Sequence, residues 1–181
     1  MKAKEIFDTL INAAKYPMSP TCDVLISGDE NKEVKKAATC FKLTADVLSE
    51  AIKQGVDLII THEPSFSVGD VPDGTRFADA KKWEMLKESG ITLYRFHDHA
   101  HNSDPDYIHE GFLRKTGLSI SKRFEQDSFA VSRYELSKPM ELRSIVGLIH
   151  EKLGLELVRV IGDDECIVKT VCLGLGAVGA A

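Results

Sequence analysis

The chain has 181 residues, a formal net charge of −5 at pH 7, 43% hydrophobic residues and 28% charged residues. These values lie near the averages of globular proteins and exclude a disordered tail, a collagen-like fibre and a disulfide-stapled miniprotein. The acidic balance offers no excess of cations to neutralise a phosphate backbone, so we expect no nucleic-acid partner. The sequence shows no signal peptide and no apolar stretch of about 18 residues, which predicts a cytoplasmic protein without a membrane partner.

Helical and strand periodicities alternate along the chain, which predicts an α/β fold with a central mixed β-sheet flanked by helices. Helices are predicted over 3–15, from Thr44 to Gly55, over 75–89 and 105–116, and from Pro139 to about Leu153. Strands are predicted over 22–27, 34–41, 56–61, 91–96, 129–136, 155–161 and 167–174. The four cysteines form no CxxC pair and are expected to be reduced thiols: Cys22, Cys40, Cys166 and Cys172.

Four of the six histidines follow directly after the predicted strands 56–61 and 91–96: His62, His97, His99 and His101. A helical crossover joins these strands, so they should lie parallel and end at the same edge of the sheet, where α/β proteins bind their ligands. Imidazole and carboxylate, the latter from Glu63, suit zinc, manganese, iron or nickel. The sequence therefore predicts a cleft for a divalent transition metal at the carboxyl ends of these strands.

Solvated loop histidines are the simpler explanation, but three histidines at i, i+2 and i+4 beside a fourth favour a metal site. If the strand continues past Asp98, alternation points His97, His99 and His101 to one side. If the chain turns after Asp98, only His97 and His101 need converge. His99 is therefore either a fifth ligand or a hydrogen-bond donor behind the ligands, and Asp98 is expected to hydrogen-bond a ligand imidazole.

Four other residues carry weaker signals. His150 lies in a predicted helix and fits a surface or packing position, whereas His109 either faces the site or packs in the core. Asp104 and Asp106, in the stretch SDPD, would either supply a carboxylate to the site or form a turn and a helix N-cap.

Several sequence stretches, taken in order, match blocks of a known family: SGDENKEVKKA, TADVLSEAIKQG, VDLIITHEP and ITLYRFHDHAH. They resemble the Nif-three-like proteins, often labelled type 2 GTP cyclohydrolase I homologues, over roughly residues 1–175. The most specific stretch is VDLIITHEP, which resembles the family's Ala-Asp-Leu-Ile-Ile-Thr-His-His-Pro. The HDHAH stretch stands where the family has Ala-His-Thr-Asn-Leu-Asp.

The resemblance implies a dinuclear metal centre, a hexameric ring and a GTP cyclohydrolase-type hydrolysis of a small-molecule substrate. The family's His-His pair is His62-Glu63 here, His97 matches the family histidine, and His101 stands at the family's aspartate ligand. One histidine has become glutamate and one aspartate has become histidine, so the ligand count and the total ligand charge are kept. Glu63 is then a bridging ligand or, as the catalytic residue, a general base.

The family's last block, His-x-x-x-Glu, has no counterpart, and the strand and glycine turn of IVKTVCLGLG are followed only by GAVGAA. We expect one Nif-three-like domain over 1–181 that is either a fragment or has an incomplete site. Such a site should hold one weakly bound ion instead of two. The alternative function is a non-catalytic metal-binding or protein-interaction module.

Overall fold

The computed structural model describes residues 1–14, 18–67, 69–70, 72, 76–124 and 131–176. It divides into two compact units, Met1–Ser103 and Asp104–Ala181. The expectation of a single domain over 1–181 stays a prediction. Among the described residues, no helix is both long enough and apolar enough to cross a bilayer.

The helices of the described ranges are α1 (Ala3–Ala13), α2 (Ala45–Lys53), α3 (Phe77–Ser89), α4 (Asp98–His101), α5 (Tyr107–Thr116) and α6 (Leu142–Leu153). The strands there are β1 (Leu25–Ser27), β2 (Ala37–Cys40), β3 (Leu58–Thr61), β4 (Thr92–Arg95), β5 (Ile120–Arg123), β6 (Val131–Glu141) and β7 (Ile167–Gly174). The predicted helix and strand positions 15, 75 and 129–130 lie outside the described residues.

The first unit contains a mixed four-stranded sheet in the order β1-β4-β3-β2. Strands β3 and β4 are parallel and in register, with Leu58 opposite Thr92 and Thr61 opposite Arg95, while β1 runs antiparallel to β4. The α/β fold and its mixed sheet are therefore confirmed. Because β3 and β4 end at the same level, the residues that follow them emerge at one edge of the sheet.

Helices cover both faces of this sheet because neighbouring strand residues point to opposite sides. Ile59 packs in one buried cluster with Leu48 of α2. Leu58 and Tyr94 belong to a second cluster with Phe7 of α1, whose ring stacks on Tyr94 at a centroid distance of 4.1 Å. The two cores hold β3 and β4 in place and thereby fix the edge that carries the histidines.

The second unit contains the antiparallel sheet β5-β6-β7. Leu136 of β6 and Ile145 of α6 lie in its buried core with Leu118, and Phe112 of α5 packs against them. The predicted helix over 105–116 is confirmed as α5.

Two sequence predictions for the second unit are wrong. Pro139 does not open a helix: it lies inside β6, where the pairing with β7 shifts between Glu135 and Met140, and α6 begins only at Leu142. Proline has no backbone N–H to donate, so an interrupted ladder accommodates it. The predicted strand over 155–161 is not a strand in the structure, and these residues pair with no strand of the described ranges. Alternation of apolar and polar residues favours an extended chain but does not supply a partner strand.

Candidate metal centre

Three imidazole rings converge at the carboxyl edge of the first sheet. His62 follows β3, His97 follows β4 and His101 ends α4. One ring nitrogen of each lies within 4.8 Å of the others. The ring centroids are 4.5 Å apart for His62 and His97, 5.1 Å for His62 and His101, and 5.0 Å for His97 and His101. The three rings therefore form a nearly regular triangle, which we call the histidine triangle.

The short helix α4 brings His101 back to His97. The backbone N–H of His101 donates to the carbonyl of His97 at 3.2 Å, and that of Asn102 donates to the carbonyl of Asp98 at 2.9 Å. Residues four apart lie on the same side of a helix, so His97 and His101 meet whereas His99 points elsewhere. Of the two backbone paths expected from the sequence, the structure follows the one that turns after Asp98.

Hydrogen bonds engage one ring nitrogen of His62 and one of His97. His62 Nδ1 lies 3.3 Å from the carbonyl oxygen of Phe96, and His97 Nδ1 lies 2.9 Å from Asp98 Oδ1. Carbonyl and carboxylate oxygens accept hydrogen bonds, so both Nδ1 atoms carry the proton and both Nε2 atoms keep a lone pair. The contact between Asp98 and an imidazole, expected from the sequence, is present.

Burial and neighbouring groups shift the pKa values of His62 and Asp98. Burial lowers the pKa of His62, and the neighbouring rings of His97 and His101 lower it further, so His62 is neutral at pH 7. Burial by itself would raise the pKa of Asp98, but hydrogen bonds from the Cys22 backbone, the His97 ring and other donors outweigh it. The pKa of Asp98 is held well below its usual range.

The loop after β3 is braced from two sides. Arg95 donates from Nε to the carbonyl of His62 at 3.3 Å and forms a largely buried ion pair with Asp70 at 2.9 Å. The ammonium group of Lys82 is buried and donates to the carbonyl of Ser65. These contacts limit how far the His62 backbone can move relative to β4.

Glu63 and His99 lie outside the two clusters of candidate ligands formed by described residues. The Glu63 backbone N–H donates to the carbonyl of Phe41 at 2.7 Å, and its carboxylate is close enough to His62 to oppose the lowering of that histidine's pKa. The His99 ring is buried, with Nδ1 2.7 Å from Asp23 Oδ2. The roles assigned to both residues from the sequence stay predictions.

The second cluster consists of Cys22, His97 and Asp98, and sequence reasoning missed the cysteine. Burial, together with the hydrogen bond to Asp98, raises the pKa of the Cys22 thiol to about 12, so the sulfur is protonated at neutral pH. His97 and Asp98 are already hydrogen-bonded to each other. This cluster therefore backs the histidine triangle from behind and is not an independent site.

The weaker candidates lie in the second unit. Asp106 caps α5 by accepting hydrogen bonds from two backbone N–H groups, and Asp104 pairs with an arginine of β5 at 2.9 Å. His109 is fully buried with Nδ1 2.9 Å from Ser132 Oγ, and His150 is exposed. The N-cap and the surface position are as the sequence predicts, and none of these residues belongs to either cluster among the described residues.

The fold and the triangle define an α/β protein with a candidate metal site at the edge of a mixed sheet. The family model for Duf34/NIF3 (NGG1p interacting factor 3) matches residues 1–180. The chain belongs to this family.

The curated relatives share low sequence identity with this chain. Proteins named GTP cyclohydrolase 1 type 2 homolog from Clostridium perfringens and Streptomyces coelicolor are 26% and 23% identical to it. The matches cover 98% and 84% of this chain, and the chain spans 70% and 56% of the length of those two relatives.

Solved structures support the same fold. A hypothetical protein of Staphylococcus aureus superposes with a TM-score of 0.77 at 20% identity, over 99% of this chain and 73% of that one. A Bacillus cereus protein related to NIF3 superposes with a TM-score of 0.76 at 13% identity, over 95% and 75% of the two chains. At these identities the likeness establishes the fold.

Proposed function

We propose that this Duf34/NIF3 protein binds a divalent transition metal through His62, His97 and His101. The observation that carries the proposal is the histidine triangle, in which two Nδ1 atoms are engaged behind the rings and the ligand atoms lie within 4.8 Å. Zinc sits about 2.0–2.1 Å from a histidine nitrogen, so two ligands of one ion lie at most about 4 Å apart. A shift of less than about 1 Å would suffice to close the triangle on an ion.

The donor set fits this class of metal. Imidazole nitrogens suit zinc, iron, nickel and copper, whereas magnesium and calcium prefer oxygen ligands. Metal-binding histidines commonly donate their second N–H to a carboxylate or a backbone carbonyl, as His97 and His62 do. With three protein ligands, a position remains for water or substrate, as in catalytic zinc sites.

We further propose a metal-dependent hydrolase acting on a small molecule. A divalent ion bound here would lower the pKa of a coordinated water and polarise a carbonyl or phosphoryl group. Glu63 offers a carboxylate beside His62 that can serve as a further ligand or accept a proton. A GTP cyclohydrolase-type substrate is supported by the names of the curated relatives and by the resemblance of VDLIITHEP.

Metal content decides the binding proposal. After supplementation with Zn²⁺ or Co²⁺, we expect about one equivalent in the wild type and little in His62→Ala or His101→Ala. His150→Ala, which removes an exposed histidine of the second unit, is the matched control and should bind like the wild type. Less than about 0.2 equivalents in the wild type, or equal content in all variants, would refute the metal site.

Catalysis and assembly need separate tests. Turnover of nucleotides or phosphoesters with added Mn²⁺ or Zn²⁺ that disappears in Glu63→Gln would support the hydrolase. Metal binding without turnover would favour the alternative, a non-catalytic metal-binding or interaction module. We also propose a homo-oligomer, hexameric by the family resemblance, which light scattering coupled to gel filtration tests directly.

A further inference from the structure

Asp23 is a carboxylate of the first unit that accepts several hydrogen bonds. It lies in the segment before β1, and its side chain is fully buried. Its Oδ1 accepts hydrogen bonds from the backbone N–H groups of His97 at 2.5 Å and Asp98 at 2.9 Å. Its Oδ2 accepts from the backbone N–H of His99 at 2.7 Å and from His99 Nδ1 at 2.7 Å.

These contacts make Asp23 the anchor of α4. Three consecutive N–H groups at the beginning of a helix normally lack partners within that helix. Here all three donate to one carboxylate that is 74 to 76 residues away in the sequence. A helix of four residues cannot sustain itself, because nucleation costs more than so few hydrogen bonds return. The turn that places His101 against His97 therefore depends on Asp23.

The same carboxylate explains the orientation of His99. Its Nδ1–H donates to Asp23, and its Nε2 accepts a hydrogen bond from the backbone N–H of Met18 at 3.4 Å. Both ring nitrogens are occupied in the neutral Nδ1–H tautomer, which leaves no lone pair for a metal. His99 thus links the 18–23 segment to α4, although its sequence position suggests a ligand.

We propose that Asp23 is the positioning residue of the histidine triangle and that His99 is its partner in this role, not a metal ligand. This inference rests on the metal site proposed above. The purely structural alternative is that Asp23 stabilises the first unit without affecting where His97 and His101 stand. The two explanations predict different metal affinities for a variant that lacks the Asp23 carboxylate. If Asp23 positions the triangle, the affinity falls further than in a variant that is destabilised to the same extent elsewhere in the first unit.

Asp23→Asn and Asp57→Asn form a matched pair of substitutions. Asp57 also holds two backbone N–H groups, those of Lys35 at 2.9 Å and Lys36 at 3.1 Å, but it precedes β3 and lies at the opposite end of that strand from His62. Both variants should unfold at lower urea concentration. We expect Asp23→Asn to weaken Co²⁺ binding about 10- to 100-fold, as loss of groups that orient metal ligands does, and Asp57→Asn to change it less than about twofold.

His99→Gln provides the second variant. If His99 only positions α4, the Co²⁺ complex should keep the visible absorption spectrum of the wild type while its affinity falls. A spectrum that shifts as a ligand is lost would overturn the assignment of His99. Equal Co²⁺ affinities for Asp23→Asn and Asp57→Asn would overturn the role of Asp23. An unchanged affinity in His99→Gln would overturn the role of His99 as its partner. If Asp23→Asn does not fold, Asp23→Glu, which displaces the carboxylate by one methylene group, takes its place in the comparison.

A metal-free measurement separates failure of this inference from failure of the proposed function. Nitrogen-15 spectra of the imidazole rings should show His99 as the Nδ1–H tautomer in the wild type and in Asp57→Asn, and a changed signal in Asp23→Asn. If the wild type binds no Co²⁺, the proposed function fails while these spectra still decide the role of Asp23. Identical His97 and His101 ring signals in Asp23→Asn and the wild type would contradict it.

Discussion

Gly28 occupies the tightest backbone contact among the glycines of the described ranges, and its replacement by alanine should destabilise the first unit. Gly28 has φ +95°, and a Cβ added there would lie 2.6 Å from Thr92 Cα and 2.9 Å from the carbonyl oxygen of Ile91. Both neighbours are backbone atoms of the segment that forms β4, so no side-chain rotation relieves the clash. The left-handed backbone costs an alanine about 1–2 kcal/mol, and overpacking adds about 1–3 kcal/mol.

Gly90→Ala is the matched control for Gly28→Ala. Gly90 also has a positive φ, +65°, but an added Cβ would meet nothing within 4 Å. Only the backbone term applies there, so Gly90→Ala should cost about 1–2 kcal/mol against about 2–5 kcal/mol for Gly28→Ala. Urea unfolding followed by the fluorescence of Trp83, the single tryptophan, reports on the first unit. With a slope of about 2 kcal/mol per molar urea, the midpoints should differ by about 0.5–1.5 M. Coinciding midpoints would refute the contact between Gly28 and β4.

Other predictions concern the site itself. Burial lowers the pKa of His62, so Co²⁺ affinity should stay nearly constant from pH 8 to pH 7. It should fall only below about pH 6.5, where protons compete with the metal for the ring. A decline in affinity that begins above pH 7.5 would contradict this. Asp98→Asn should weaken Co²⁺ binding about 10- to 100-fold in a competition titration, since an amide N–H facing His97 Nδ1 disfavours the tautomer that leaves Nε2 free; a change below threefold would count against the orientation described. Burial raises the pKa of Cys22 to about 12, so Cys22 should react with iodoacetamide at pH 7.5 more slowly than the exposed Cys166. Mass spectrometry of the labelled peptides measures both rates, and equal rates would contradict the raised pKa.

The sequence predicts the histidine-bearing edge of the first sheet well because each strand and its end can be recognised from a few consecutive residues. Apolar runs ending at His62 and His97, with a helical crossover between them, are enough to place two parallel strands side by side. The convergence of His62, His97 and His101 follows from that pairing and from a turn after Asp98, one of the two backbone paths that the sequence allows.

The sequence does not predict what holds α4 in place. Asp23 acts across more than 70 residues, and within its own segment it looks like one polar residue in an apolar run. The same distance hides Cys22 from sequence reasoning. The predicted strand over 155–161 fails for a related reason, since a residue pattern describes two faces of a strand but not the neighbour with which it pairs.

The three rings of the histidine triangle lie on one continuous segment, from Leu58 to His101, that contains β3, α3, β4 and α4, and Asp23 supports this segment from outside it. One continuous segment therefore carries all three histidines, and only one outside residue is needed to hold its short helix in place. The framework has two parts: a pair of parallel strands that end in register, and a buried carboxylate that accepts hydrogen bonds from three backbone N–H groups. A designed protein with both parts should be able to carry the same three histidines. Within this protein, all three rings belong to the unit Met1–Ser103, so a substitution in the unit Asp104–Ala181 removes no atom of the triangle.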